Sequence, residues 1–185
     1  MTENEQYVME CITKWIWSGF NDPDDVREMM EDILEPDCDT DRLEGFIESE
    51  FERKAAAERS WPRETDCDRL DRVFDELDGN GICALSNAGY TMSDGHSDVS
   101  EAVQDAPQGR YHGYCFYHGQ DVERALDGHG LTIAFGDLAG DDARGAVVGR
   151  QVAEALARGG FETSWNGSVR SRIELPSFDW KRRYR

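Results

Sequence analysis

Up to Leu77 the apolar residues of this chain recur at helical spacing, and beyond Gly79-Asn80-Gly81 they gather into short runs separated by turn residues. This change of rhythm limits the fold more than any other feature, because a stripe repeating every 3.6 residues or so packs as a helix, whereas a short bounded apolar run packs as a strand. Ahead of the break, Tyr7, Val8, Cys11, Ile12, Trp15 and Ile16 mark a first helix. Val26, Met29, Met30, Ile33 and Leu34 mark a second, behind a capping Asp22 and a first-turn Pro23 and closed by Pro36. A third starts near residues 39–41, carries Leu43, Phe46, Ile47 and Phe51, and runs toward Trp61-Pro62. A fourth opens at Thr65, with Asp68 where a capping box has Glu or Gln, and buries Leu70, Val73, Phe74 and Leu77.

Beyond the break, strands are predicted near 82–86, 111–118, 131–136, 161–165 and 169–175, with helices near 96–105, 120–127 and 142–158 between them. Asn166-Gly167 is a strong hairpin signal, so the last two strands are expected to run antiparallel. The expected fold is therefore α+β: a mixed, partly antiparallel sheet of about five strands with crossover helices over residues 65–185, preceded by an acidic helical segment over residues 1–64.

A hydrophobic content of 38% with 10% aromatic residues supports a folded core. No apolar run approaches the roughly 20 residues of a bilayer span, and Met1 is followed by Thr2, Glu3, Asn4 and Glu5 instead of basic and then apolar residues. A cytoplasmic location and no membrane partner are expected. Five cysteines without a C-x-x-C pair argue against a disulfide framework or a zinc ribbon and read mostly as small buried hydrophobes.

The net charge is −19, and it is unevenly spread along the sequence. Residues 1–105 hold 29 acids and nine bases, a net of −20, whereas residues 106–185 hold ten acids and eleven bases, a net of +1. A phosphate binder needs the opposite sign, so direct nucleic-acid binding is not expected. Solubility, a GC-rich genome or a salt-adapted cell would produce such acidity as well as a charge-read partner would. The two halves are expected to differ in surface potential.

Several motifs invite a functional reading and meet a structural one. Asp78-Gly79-Asn80-Gly81 resembles the middle of a calcium loop, but the register places Glu76 first and Asn87 where the bidentate Glu belongs, which leaves a helix stop and tight turn. His112 and His118 sit six residues apart, roughly 20 Å along a strand, too far for one metal. With Tyr114 and Phe116 they read as one aromatic face with polar ends at the rim. Gly128-His129-Gly130 ends a helix, and Asp137, Asp141 and Asp142 suit a helix N-terminus better than a magnesium pair. No metal site and no cofactor are assigned. The closing Lys181, Arg182, Arg183 and Arg185, with Trp180 and Tyr184, read chiefly as internal or inter-subunit complements to the acids.

Residues 87–98 are the local candidate for a site, because they lie between a predicted strand and a predicted helix, where ligands bind in many α/β sheets. Thr91, Ser93, Asp94 and His96 are the contact candidates, with Trp165 and Trp180, beside Tyr114, as aromatic walls. The same residues also make a turn and a helix cap, with Asp94 or Ser97 as the cap. Ser93, Asp94 and His96 are adjacent in sequence, which is not triad geometry, so no catalytic residue is assigned.

The steps Gly89-Tyr90-Thr91 and Ser93-Asp94-Gly95, the run Leu131 to Phe135, and the series Trp165, Asn166, Gly167, Arg172, Ile173, Leu175 and Trp180 to Arg183 resemble an uncharacterised family of bacterial domains of unknown function. The resemblance covers about residues 65–185 and implies no activity. A weaker similarity, in acidity and in the rhythm of helices, strands and tryptophans, is to the bacterial regulator of ribonuclease E activity, which acts by binding an enzyme.

The leading expectation is a non-catalytic cytoplasmic interaction or regulatory protein whose acidic helical surface binds a basic protein partner. The alternative is a small-ligand-binding or hydrolytic domain with a pocket at the strand ends near residues 89–98. An acidic face that mimics DNA is a third possibility.

Overall fold

The computed structural model describes residues 1–184 and resolves the two apolar rhythms into two units. The first holds residues Met1–Thr65 and the tail from Lys181; the second holds Asp66–Trp180. Arg185 lies outside the described residues.

The helical unit consists of α1 (Glu3–Ser18), α2 (Pro23–Asp32) and α3 (Thr40–Glu58). Val8, Ile12 and Ile16 of α1 meet Val26 and Met30 of α2 and Leu43 and Ile47 of α3 in one core. Each such buried side chain contributes about 1.5–3 kcal/mol relative to exposure. Tyr7, on the predicted apolar stripe, is instead 60% exposed. Capping boxes start α1 and α2. Thr2 Oγ1 accepts from Glu5 N–H at 3.1 Å while Thr2 N–H donates to Glu5 Oε2 at 2.9 Å, and Asp22 and Asp25 make the same reciprocal pair. Buried Glu5 also accepts the N–H of Asp39, the N-cap of α3, at 3.0 Å. The backbone N–H groups of Asp39 and Thr2 hold the Glu5 carboxyl below its ordinary value.

The second unit contains α4 (Asp66–Gly79), β1 (Ile82–Leu85), α5 (Met92–Asp105), β2 (Gly113–Phe116), α6 (Gly119–Leu126), β3 (Leu131–Asp137), α7 (Asp142–Arg158) and β4 (Ile173–Leu175). The strands form one open sheet in the order β1-β2-β3-β4. β1 and β2 are parallel and joined by the α5 crossover, whereas β2/β3 and β3/β4 are antiparallel. On one face, α5 packs Val99 against Phe116 and Ala134. On the other, α7 brings Gly149 against Phe135 and Val148 against Gly113, while Phe74 of α4 meets Tyr117.

The sheet among the described residues has four strands, not about five. The predicted strand at 161–165 is reduced to a single antiparallel bridge, Ser164 to Glu174. Asn166-Gly167 does not form a two-residue hairpin turn. It lies in a longer loop closed by Trp165, whose Nε1–H points to Ser168 O (3.0 Å) and Ser171 O (3.1 Å), and by Asn166 Oδ1, which accepts from Ser168 N–H. Side chains thus took the hydrogen bonds that a strand ladder would have used. The five cysteines are free thiols, with Cys67, Cys83 and Cys115 buried and Cys11 and Cys38 half-buried. Burial, then Asp78, pushes the Cys83 thiol up to about 11.

Dividing the charge where the chain folds removes the expected asymmetry. Residues 1–65 hold 19 acids and seven bases, and Lys181, Arg182 and Arg183 bring the helical unit to −9, with Arg185 not counted. Residues 66–180, with 20 acids and nine bases, stand at −11. Both units are acidic, because the cations of the tail fold onto the helical unit and the acids of α4 and α5 belong to the sheet unit.

Gly95, inside α5, separates two effects that oppose each other. Helix propensity favours alanine there by about 1 kcal/mol, but an added Cβ would lie 2.3 Å from the ring of fully buried Phe116. Overpacking is expected to win, and Gly95→Ala is predicted to lower stability by about 1–3 kcal/mol in urea unfolding.

Candidate functional site

Because β1 and β2 are parallel, the loops that leave them emerge at the same end of the sheet. Backbone hydrogen bonds zip these loops together: Ala88 N–H to Tyr117 O at 2.9 Å, Gly119 N–H to Gly89 O at 2.9 Å and Gln120 N–H to Tyr90 O at 3.1 Å. The turn requires left-handed backbone at Asn87 (φ 53°) and Gly89 (φ 55°), and a Cβ on Gly89 would strike Asp94. This seam delivers His118 as the residue ahead of α6 and buries it, with 3% exposure.

His118, Asp121 and Arg172 form an ionic cluster there. Arg172 Nη1 donates to Asp121 Oδ1 at 2.8 Å and Oδ2 at 3.0 Å. Asp121 Oδ2 also accepts the His118 backbone N–H at 3.2 Å and lies 3.2 Å from His118 Nε2. Burial lowers the His118 pKa below 6.5, opposed by Asp121, reinforced by Arg172 and opposed again by Asp94. His118 Nε2 lies 3.2 Å from Asp121 Oδ2 and 3.4 Å from Arg172 Nη1, and the shorter contact, to the acceptor-only carboxylate, assigns the proton of the neutral imidazole to Nε2. Nδ1 is then an acceptor, and it is buried without a hydrogen-bond partner among the described residues. A carboxylate that fixes one imidazole nitrogen and leaves the other as an acceptor is how a general base is oriented. The groups bonded within the cluster are Asp121, Arg172 and Met92, whose sulfur lies 3.9 Å from Arg172 Nη1, and none of them is a hydroxyl or thiol to activate.

The predicted contact residues fall around this cluster, not together. The helix predicted near 96 begins at Met92, so Thr91 is its N-cap in place of Asp94 or Ser97. Thr91 Oγ1 accepts from Asp94 N–H at 3.4 Å, and Asp94 Oδ2 accepts from Thr91 N–H at 2.9 Å. The backbone and hydroxyl of Thr91 hold the Asp94 carboxyl below its ordinary value. Ser93 and Asp94 are exposed in the first turn, and His96, also exposed, sets its ring edge-on to Tyr114 and Phe116 at 5.4 and 5.2 Å. Trp165 packs on Phe135 and Trp180 on Tyr117, both on the opposite face of the sheet. A hollow of about 190 Å³ opens between α6 and β4, lined by Arg124, His129, Thr132 and Glu174 among others, and by none of the six predicted residues.

The cluster itself escaped sequence reading. His118 was expected at the rim, and it is buried instead; His112 turns toward Gln151 of α7 at 3.4 Å. The one local signal was the spacing of His118 and Asp121, which is that of an N-cap and its third helical residue. Arg172 lies 51 residues beyond Asp121, and no spacing could pair them. The remaining motifs have structural partners. Asp78 accepts from Tyr111 and Arg110, each at 2.7 Å, and Asp137 accepts from Ala139 N–H and Asp141 N–H ahead of α7, which Asp141 caps.

The helical unit carries a second feature. Residues 22–41, spanning α2 and the loop to α3, hold ten acids and a single base, Arg27. Nine of these acids are exposed. Arg27 is already engaged by Asp24 at 2.9 Å and Glu44 at 3.0 Å.

These features define an α+β protein with an open mixed sheet, a buried ionic cluster at its strand ends and an acidic ridge on a three-helix unit. A family profile for a domain of unknown function, DUF6891, matches residues 1–184, and the chain belongs to that family. The match extends over the helical unit as well as the part from residue 65 onward. No curated protein and no solved structure matches the chain, and nothing supports the similarity to the regulator of ribonuclease E. No helix among the described residues is long and apolar enough to cross a membrane.

The cluster predicts an asymmetric response. Arg172→Met strands the buried Asp121 carboxylate and is expected to cost about 3 kcal/mol, whereas Asp121→Asn leaves a partly exposed guanidinium that water can reach and should cost about half as much in the same urea titration. His118 has a folded pKa below its unfolded value, so its contribution is present above about pH 6.5 and is lost as pH falls from there through the folded pKa. His118→Gln should remove that part of the acid loss in stability measured from pH 7.5 down to 5.

Proposed function

We propose that the protein is a non-catalytic interaction protein, acting in the cytoplasm, that meets a basic surface of another protein with the acidic ridge of its helical unit. The observation that carries this reading is the concentration of acids on the ridge, ten against one base over residues 22–41. Asp66, Glu76 and Asp78 are matched by Arg69, Arg158 and Arg110 at 2.6–2.7 Å. On the ridge, Asp25, Glu28, Glu31, Asp32, Glu35 and Asp41 have no Lys or Arg within 4.0 Å among the described residues. Like charges packed within a Debye length repel one another, and a cationic surface relieves that repulsion while accelerating encounter.

A second reading has one observation in its favour. The buried Nδ1 of His118 lacks a donor, and a small ligand's hydroxyl or amine at the strand ends would supply one. The Arg172–Asp121 pair beside it would then orient the ligand.

The test of the leading reading is affinity capture at about 50 mM and 500 mM salt with the wild-type chain and with the variant E28Q/E31Q/D32N/E35Q. A basic protein retained by the wild type at low salt, and lost both at high salt and from the variant, is the expected result. Recovery of the same proteins by both chains would refute the role of the ridge.

A further inference from the structure

We infer that the helical unit contains a receptor groove for an arginine-pair segment of its protein partner, and that the chain's own Lys181-Arg182-Arg183-Tyr184 occupies it in this structure. The inference rests on the reading of the helical unit as a binder of basic surfaces, and it names where such a surface would seat a side chain.

The groove is built from the end of α1 and the stretch after α3. Gly19, the C-cap of α1 with φ 80°, forms its floor: a Cβ there would lie 2.5 Å from the carbonyl oxygen of Arg182 and 2.7 Å from its Cγ. Only a residue without a side chain lets the guest backbone pass this close. Phe20 follows, and the Arg182 guanidinium lies 4.6 Å from the centre of its ring. Trp61 receives the next guanidinium, that of Arg183, at 5.7 Å, and the adjacent Pro62 carbonyl accepts a hydrogen bond from Arg183 Nη2 at 2.8 Å.

Two aromatic faces are thus placed for two successive arginines. At Trp61 a ring contact combined with a hydrogen bond to the Pro62 carbonyl suits a planar guanidinium and not an ammonium, so the groove selects Arg at the position of Arg183 and takes a cation over Phe20 at the position before it. The host is charged to match, since residues 1–65 carry a net of −12 before the tail is added. The guest is only partly covered: Lys181, Arg182 and Arg183 are half-buried and Tyr184 is 50% exposed.

Competition follows from tethering. A covalently attached segment is present at an effective concentration in the millimolar range, so a short free peptide competes poorly with it. A partner that also engages the carboxylates of α2 has a second attachment point, which raises its own local concentration at the groove and allows exchange.

The experiment uses the full chain carrying R182S/R183S, which vacates the groove, and the wild type. Each is titrated with acetyl-Lys-Arg-Arg-Tyr-amide and with the control acetyl-Lys-Ser-Ser-Tyr-amide while the Gly19 amide and Trp61 indole signals are followed by NMR. The arginine peptide should shift both signals saturably in the double variant, at a Kd at least tenfold below that in the wild type, and the control should shift neither. No saturable shift in the double variant, equal affinity for both chains, or shifts confined to α2 would each overturn the groove. Circular dichroism checks the fold of the double variant. If it does not fold, R183S alone, read at the Trp61 indole, gives the same decision. The two readings fail separately: a partner lost from the α2 variant while no peptide binds keeps the ridge and removes the groove, and peptide binding with no captured partner does the reverse.

Discussion

A carboxylate that receives the free N–H groups of a helix's first turn is the interaction on which this fold depends. A chain of net charge −19 must place its acids where the potential is positive, and a helix N-terminus offers roughly half an elementary charge of the right sign. All seven helices of the described residues carry an acid in the first turn. Asp22, Asp39 and Asp141 act as N-caps, while Glu5 and Asp94 reach back to the N–H of a capping threonine. Each cap is worth about 1 kcal/mol. The helix C-termini receive no comparable help from cations: α1 to α5 have none in the last turn.

Two of these carboxylates also join segments that are remote in sequence. Glu5 links the start of α1 to the start of α3, 34 residues away, and Asp121 links the end of β2 and the start of α6 to Arg172 ahead of β4. Both are buried, so their lone pairs have no water to fall back on, and their donors are supplied by backbone and guanidinium. The short β4 adds only a three-residue ladder to the sheet. The Arg172–Asp121 pair therefore gives that edge a second attachment on the α5 side.

All seven helices were legible in the sequence because caps and periodicity are local signals, and four strands were legible because apolar runs are. What depended on competition between partners was not. Residues 161–165 look like a strand, yet Trp165 and Asn166 direct their hydrogen bonds into the following loop. The start of α5 was misplaced because Thr91, Asp94 and Ser97 are all acceptable caps, and only packing of Gly95 under Phe116 selects the first of them. Of the candidate site, the segment 91–96 was visible as a strand-end loop, but the burial of His118 and its pairing to Arg172 arise from sheet order, which no local pattern encodes. The charge split failed for a related reason: the tail returns to the helical unit, and a boundary drawn at residue 105 cuts across the sheet unit.

Once charge is counted by unit, acidity alone no longer distinguishes the helical part; the concentration of acids on one ridge does. In the sheet unit the carboxylates of Asp66, Glu76, Asp78, Asp121 and Asp137 each meet an arginine. On the ridge from Asp22 to Asp41, Asp25, Glu28, Glu31, Asp32, Glu35 and Asp41 meet no Lys or Arg among the described residues, while Asp24 holds Arg27 and Asp37 is held by Asn4 and Thr2. Solubility asks for dispersed charge, because it gains nothing from raising local repulsion on one helix. The ridge concentrates it instead. The same unit holds an arginine pair on Phe20 and Trp61, so its two ways of meeting cationic groups, diffuse attraction at α2 and specific stacking beside α1, lie on separate residues and can be gained or lost independently.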